Sequence, residues 1–120
     1  MFVNALPQYY QGLTNAKVDL TTTNVTTLYT APSSDTFNIS VVTSILVSED
    51  SGNADTLTVT ITNGSDVFSL FKTKSISANG TTELLTKDLV LQSGEILKLT
   101  AATANRLHVV ASIQEFSQQR

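Results

Sequence analysis

Apolar and polar residues alternate with a period of two along most of this chain. That spacing turns successive side chains to opposite faces of a β-strand. The longest run places Phe37, Ile39, Val41, Thr43, Ile45 and Val47 on one side and Asn38, Ser40, Val42, Ser44, Leu46 and Ser48 on the other. It predicts a long strand that is polar at one end and apolar on both faces in its middle. Leu57, Val59 and Ile61 then alternate with Thr56, Thr58, Thr60 and Thr62, an aliphatic face backed by a threonine ladder. Asn63-Gly64 follows, a pair that supplies the positive φ angles of a tight hairpin, and Val67, Phe68, Leu70 and Phe71 fall on the return strand.

Further punctuation divides the rest. Val25 to Thr30 reads as a strand closed by Ala31-Pro32-Ser33-Ser34. Ala78-Asn79-Gly80 and Gln92-Ser93-Gly94-Glu95 read as turns around Leu84, Leu85 and Leu89 to Leu91. Ile96, Leu97, Leu99 and Ala101 make one more strand, and Leu107, Val109, Ala111 and Ile113 the last. Helix spacing fits nowhere. Seven or eight short strands with turns at this interval predict an all-β, antiparallel β-sandwich, jelly-roll-like. Its core is expected to hold Ile39, Val41, Leu57, Val59, Ile61, Leu97, Leu99, Leu107 and Val109.

Residues 1–16 break the alternation. Phe2, Val3, Leu6, Tyr9, Tyr10 and Leu13 are spaced around Pro7 and Gly12. The expected organisation is an N-terminal arm over 1–16 and a sandwich domain over 17–120. An arm this apolar either folds back over its own sandwich or docks on a neighbouring subunit. In the second case Phe2, Leu6, Tyr9, Tyr10 and Leu13 are the interface residues, because aromatic anchors carry much of the energy of such contacts.

Composition sharpens the surface. The 120 residues are one domain's length. Only 14% are charged, against about 25% in ordinary proteins. Ser and Thr fill the gap, and the β-branched threonines suit a pleated surface. The seven basic residues are scattered and the net charge is −3. A phosphate backbone needs a dense basic face, so nucleic acid is not an expected partner. No run approaches the ~20 apolar residues that span a bilayer, and Met1 to Ala5 lacks the basic head and long apolar stretch of an export signal. Synthesis in a cytoplasm, with no membrane partner, is the expectation. Without cysteine there are no disulfides or thiolate metal sites.

The search for chemistry yields little. His108, the single histidine, alternates with Leu107 and Val109 and so points away from the core. With no acid or base beside it in sequence, it reads as a structural or interface residue. Glu49, Asp50, Asn53 and Asp55 around Gly52 are the best cation candidate, since they offer several oxygens in a short loop. They lack the full calcium-loop pattern and its closing bidentate glutamate, and the competing reading is a solvated loop. No nucleophile elbow and no glycine-rich phosphate loop occurs. Asn-x-Ser/Thr triplets begin at Asn24, Asn38, Asn63 and Asn79, as chance allows in a threonine-rich chain. No enzyme activity and no cofactor is expected.

Three segments carry a resemblance. Thr26-Thr27-Leu28-Tyr29-Thr30-Ala31-Pro32, Leu89-Val90-Leu91-Gln92-Ser93-Gly94-Glu95-Ile96-Leu97 and the closing run from Leu107 to Phe116 resemble the strands and turns of small β-sandwich virion structural proteins of tailed bacteriophages. The likeness spans residues 24 to 116 and leaves out the arm. It implies a capsid decoration or cement protein, bound to other virion proteins as a homo-oligomer with a trimer favoured. The alternative is a neck, tail or fibre module that touches the host surface, with glycan binding a further option. Either implies a virion location after synthesis in the host cytoplasm.

Overall fold

The structure, a computed structural model, describes residues 10–33 and 38–117. Nine strands are assigned among them: β1 Tyr10–Asp19, β2 Thr26–Thr30, β3 Asn38–Glu49, β4 Asp55–Asn63, β5 Asp66–Ile76, β6 Thr81–Glu83, β7 Leu89–Gln92, β8 Ile96–Ala101 and β9 Leu107–Ser117. They form two antiparallel sheets. One has the order β1-β9-β3, with β6 and β7 sharing the far side of β3, and the other runs β2-β8-β4-β5. The expected all-β sandwich is therefore the observed architecture.

The sheets pack through a fully apolar layer. Val42, Ile45, Val47, Leu91, Leu107, Val109 and Ala111 from the first meet Leu57, Val59, Leu97 and Leu99 from the second, all completely buried. Burial of that many aliphatic side chains, at roughly 1.5–3 kcal/mol for each Val or Leu, is the main force holding the layers together.

Two of the expected core residues face the other way. Ile39 and Val41 are only half-buried, while Asn38, Ser40 and Val42 point inward. The cause is a β-bulge. Against β9 the register slips between Val42 and Ser44, so Thr43 is an extra residue and side-chain parity reverses across it. Even-numbered residues face the core before the bulge and odd-numbered ones after it. Ile61 keeps the expected direction but is only partly buried at the rim.

The β4–β5 hairpin forms one residue later than the Asn63-Gly64 pair implied. Asn63 is still in the ladder opposite Asp66, and the two-residue loop is Gly64-Ser65. Gly64 has φ +62°, the positive angle a II′ hairpin requires at its first loop position.

Residues 10–16 belong to β1, which pairs with β9 from Tyr10↔Phe116 to Asp19↔His108. Residues 1–9 of the expected arm, and Phe37, lie outside the described residues.

Candidate interaction surface

Pairing of β1, β9, β3 and β6 or β7 lines up side chains in rows across the outer face of the larger sheet. One row is Leu13, Gln114, Val41 and Val90. Another is Lys17, Val110, Leu46 and Glu83. A third, beyond it, is Asp19, His108, Ser48 and Thr81. Between the first two lie Asn15, Ser112 and Ser44. The face is thus two rows with apolar members separated by a row of small polar ones.

Its apolar members are open to solvent. Leu13 is 73% exposed, Val90 52%, Leu46 42% and Val110 39%. The outer surface of the smaller sheet is more polar, although β5 at its edge exposes Val67 and Phe68. There Thr58 pairs with Thr100 and Thr60 with Lys98 and Ser69, a hydroxyl surface that water solvates well. Four exposed aliphatic side chains on one face, in two rows parted by small polar residues, suit an interaction site.

The two ends of the sandwich hold the polar clusters. At one, Glu49 is buried to 2% exposure. Its Oε2 accepts the Ser51 N–H at 2.8 Å and the Ser51 hydroxyl, and its Oε1 accepts Gly52 N–H at 3.1 Å and Asn79 N–H at 3.0 Å. Burial pushes this carboxyl upward, but the Ser51 hydroxyl and the N–H groups of Asn79, Ser51 and Gly52 outweigh it and hold the carboxyl down at about 2. Nearby, Asp55 Oδ2 accepts Thr103 N–H at 3.1 Å. At the other end, the Tyr29 hydroxyl donates to Glu115 Oε2 and lies 2.8 Å from Ser40 Oγ. Burial and then the Glu115 carboxylate push the phenol up to about 12, against a smaller opposing effect of Ser40.

The cation candidates do not converge. Glu49 turns inward onto N–H donors, Asp55 turns to a different loop, and Asp50 and Asn53 stay exposed. Among the described residues no group of three or more His, Asp or Glu side chains could hold a metal ion. Of the interface candidates, Leu13 lies on the exposed face described above. Tyr10 is in β1 but its side chain is outside the described set, as are Phe2, Leu6 and Tyr9.

His108 has partners that its sequence neighbours do not reveal. Its Nδ1 lies 3.7 Å from Asp19 Oδ1 and its Nε2 3.2 Å from Asp50 Oδ1. All three groups are on the surface, so the link is a weak tie between β1, β9 and the loop after β3. Only the strand register, which places Asp19 opposite His108, could have found it. Alternation puts Leu46 opposite Ile45 and Val47, and Val110 opposite Val109, but singles out neither of them, nor Val90, as an interaction site. Within alternating runs they look like any apolar strand residue.

Shallow hollows also occur among the described residues. One of about 340 Å³ lies between Asp55, Ser75, Ile76 and Ala102, and one of about 290 Å³ lies between Leu70, Phe71, Leu85 and Leu89. Both are near the low end of volume for small-molecule sites; the second also has Thr86, Lys87 and Asp88, three consecutive residues of the loop before β7, on its wall.

No protein-family model matches the chain, and no curated protein is similar to it. Among solved structures, two of a pentameric capsid protein isolated from metagenomic phage sequences are similar in layout. Both are 19% identical, with TM-scores of 0.47 and 0.48, and each match covers 88% of this chain. The chain spans 62% and 64% of the length of those proteins. The Eiger TNF of S. frugiperda is 12% identical with a TM-score of 0.39, over 92% of this chain and 90% of that one. Likenesses of this degree assign no role to the chain.

Proposed function

We propose that this protein is a non-enzymatic structural subunit of a tailed-phage particle, a capsid decoration protein that binds the capsid surface as a homo-oligomer. The observation that carries the binding role is the outer face of the β1-β9-β3 sheet, where Leu13, Leu46, Val90 and Val110 are exposed together. Such a face costs solubility unless something covers it. The sequence resemblance over residues 24 to 116 supports the particle as the place where it is covered.

The rest of the surface fits a structural part. The polar clusters are consumed by the fold: Glu49 and Asp55 hold loops, and Tyr29 ties β2 to β3 and β9. Phe2, Leu6 and Tyr9 before β1, and Tyr10 at its start, remain interface candidates.

The test is to label the protein and locate it on purified particles by cryo-microscopy, with binding of the recombinant chain to undecorated capsids alongside. Density spread over the capsid lattice supports decoration. Density confined to the neck, tail or fibres replaces it with the adhesion alternative, for which a glycan array is the next measurement. Absence from particles defeats both.

A further inference from the structure

Lys17 and Glu83 stand at opposite ends of one row of the exposed face, with Val110 and Leu46 between them. A two-fold axis lying against this face, parallel to the strands and between β9 and β3, exchanges the ends of every row. It sets Lys17 of one copy against Glu83 of the other, Leu13 against Val90, and Val110 against Leu46. Each contact occurs twice, as an isologous interface requires. We infer that the outer face of the β1-β9-β3 sheet is a self-complementary dimer surface, covered by the same face of a second copy. This deepens the proposed oligomeric role, on which it rests, and replaces the trimer implied by the resemblance with a two-fold pair.

Size and chemistry agree with that occupant. Four strands ~4.8 Å apart and about eight residues of ~3.4 Å make a face of roughly 20 by 27 Å in plan. With side-chain relief, that approaches the ~800 Å² per partner of a stable contact. Two twisted sheets packed face to face keep their strands within about 30°, so the rows near the axis stay in register. The small polar row of Asn15, Ser112 and Ser44 can desolvate while hydrogen-bonding across the contact. Glu83 is fixed in place for its part: its carboxylate accepts Ile45 N–H at 2.8 Å, Leu85 N–H at 3.1 Å and the Ser44 hydroxyl. Burial pushes it upward, but these donors win and keep it below the ordinary carboxylate range, charged opposite a lysine.

Two of the long edge strands, β5 and β1, carry features that oppose strand-to-strand pairing. β5 carries two register slips against β4, an unusual φ of +50° at Thr73, and Lys72 and Lys74 along its exposed length. β1 has a register slip beside Gly12 at φ +136°. Bulges and lysines are the devices that stop edge-to-edge pairing. Pairing along β5 or β1 is thereby disfavoured, and the face is the surface with matched rows.

The full chain has no cysteine, which permits a clean test. Leu13 and Val90 of one chain are three strand spacings apart, ~14 Å. A short thiol cross-linker should join L13C/V90C chains into dimers and leave each single variant uncross-linked. Sedimentation equilibrium should give a dimer for the natural protein. Leu46→Glu, which sets two carboxylates beside the axis, should weaken it at least tenfold with an unchanged circular dichroism spectrum. Lys17→Glu, facing Glu83, should weaken it about threefold, as an exposed ion pair allows. Oligomers that survive Leu46→Glu, or that fail to cross-link in the double variant, overturn this face while leaving the oligomeric reading intact. A strict trimer overturns the two-fold pair alone. A monomer that still decorates capsids overturns the dimer and spares the capsid role, whereas a monomer that binds no particle removes both.

Discussion

The two ends of the sandwich are closed by different means. At the Glu49 end a single buried carboxylate gathers donors from the loop after β3 and from the turn between β5 and β6. That carboxylate is acceptor only, and three of its four partners are backbone N–H groups, the fourth being the Ser51 hydroxyl, so two separate loops acquire one geometry. At the Tyr29 end the tie is made by side chains. One phenol spans from β2 to Ser40 on β3 and Glu115 on β9. Backbone donors cannot rotate away, whereas a tyrosine and a glutamate can. The comparison teaches that the Glu49 end is built to hold a fixed shape, while the Tyr29 end can adjust its side chains.

The sharpest way to break the comparison is Glu49→Gln. An amide offers one oxygen, so at least one of the two loops would meet an N–H₂ group with its own N–H donors. The expected result is a larger loss of stability than Tyr29→Phe gives, read by urea unfolding, with loosening confined to residues 50–54 and 77–80 in hydrogen exchange. Acid should act in the same direction. The carboxyl lies at about 2 in the folded chain against an ordinary 4.5. Its contribution is complete above 4.5, because both states are then deprotonated, and below it the unfolded state takes up the proton first. The contribution falls away as pH drops from there toward 2. In Glu49→Gln that acid-side slope should shrink. A slope of unchanged steepness would show that other carboxylates, Glu83 first, carry the acid sensitivity.

Tyr29→Phe is the matching test at the other end. It keeps the ring and removes the bonds to Ser40 and Glu115, a change of about 1–2 kcal/mol for a partly buried hydroxyl. The loss should be smaller than at Glu49 and should not spread to the loops. Alkali supplies the second measurement. With the folded phenol at about 12 against an ordinary 10, the unfolded state ionises first, so stability falls as pH rises from 10 through about 12. Tyrosine absorbance should show a late titration in the natural protein that Tyr29→Phe removes.

Much of this fold could be read from alternation alone. Leu57-Val59, Leu97-Leu99 and Leu107-Val109 face the core as expected, because these stretches are regular and each has one aliphatic side. The first half of β3 could not be read so. Val41 and Val42 are chemically equivalent, and the extra residue at Thr43 that decides between them has no compositional mark. The same holds for the interaction face. Val110 and Leu46 become neighbours only once β9 and β3 are in register. Glu49 is the reverse case. A glutamate beside Asp50 and Gly52 looks solvated, and its burial depends on Asn79, thirty residues away.

The smallest effect is expected where the Tyr29 end is incomplete. Thr62 Oγ1 is buried and has no hydrogen-bond partner among the described residues. Thr62 stands opposite Ile96 on β8 and Val67 on β5, so aliphatic neighbours flank a lone hydroxyl. Val has the same shape without the oxygen, and an unpartnered buried hydroxyl costs about 1 kcal/mol or more. Thr62→Val should therefore raise stability by about 0.5–1 kcal/mol in urea unfolding, the opposite sign to Tyr29→Phe a few residues away. If it lowers stability instead, the hydroxyl holds a bound water, and the Tyr29 end is as fully hydrogen-bonded as the Glu49 end. The contrast between the ends would then rest only on side-chain against backbone donors.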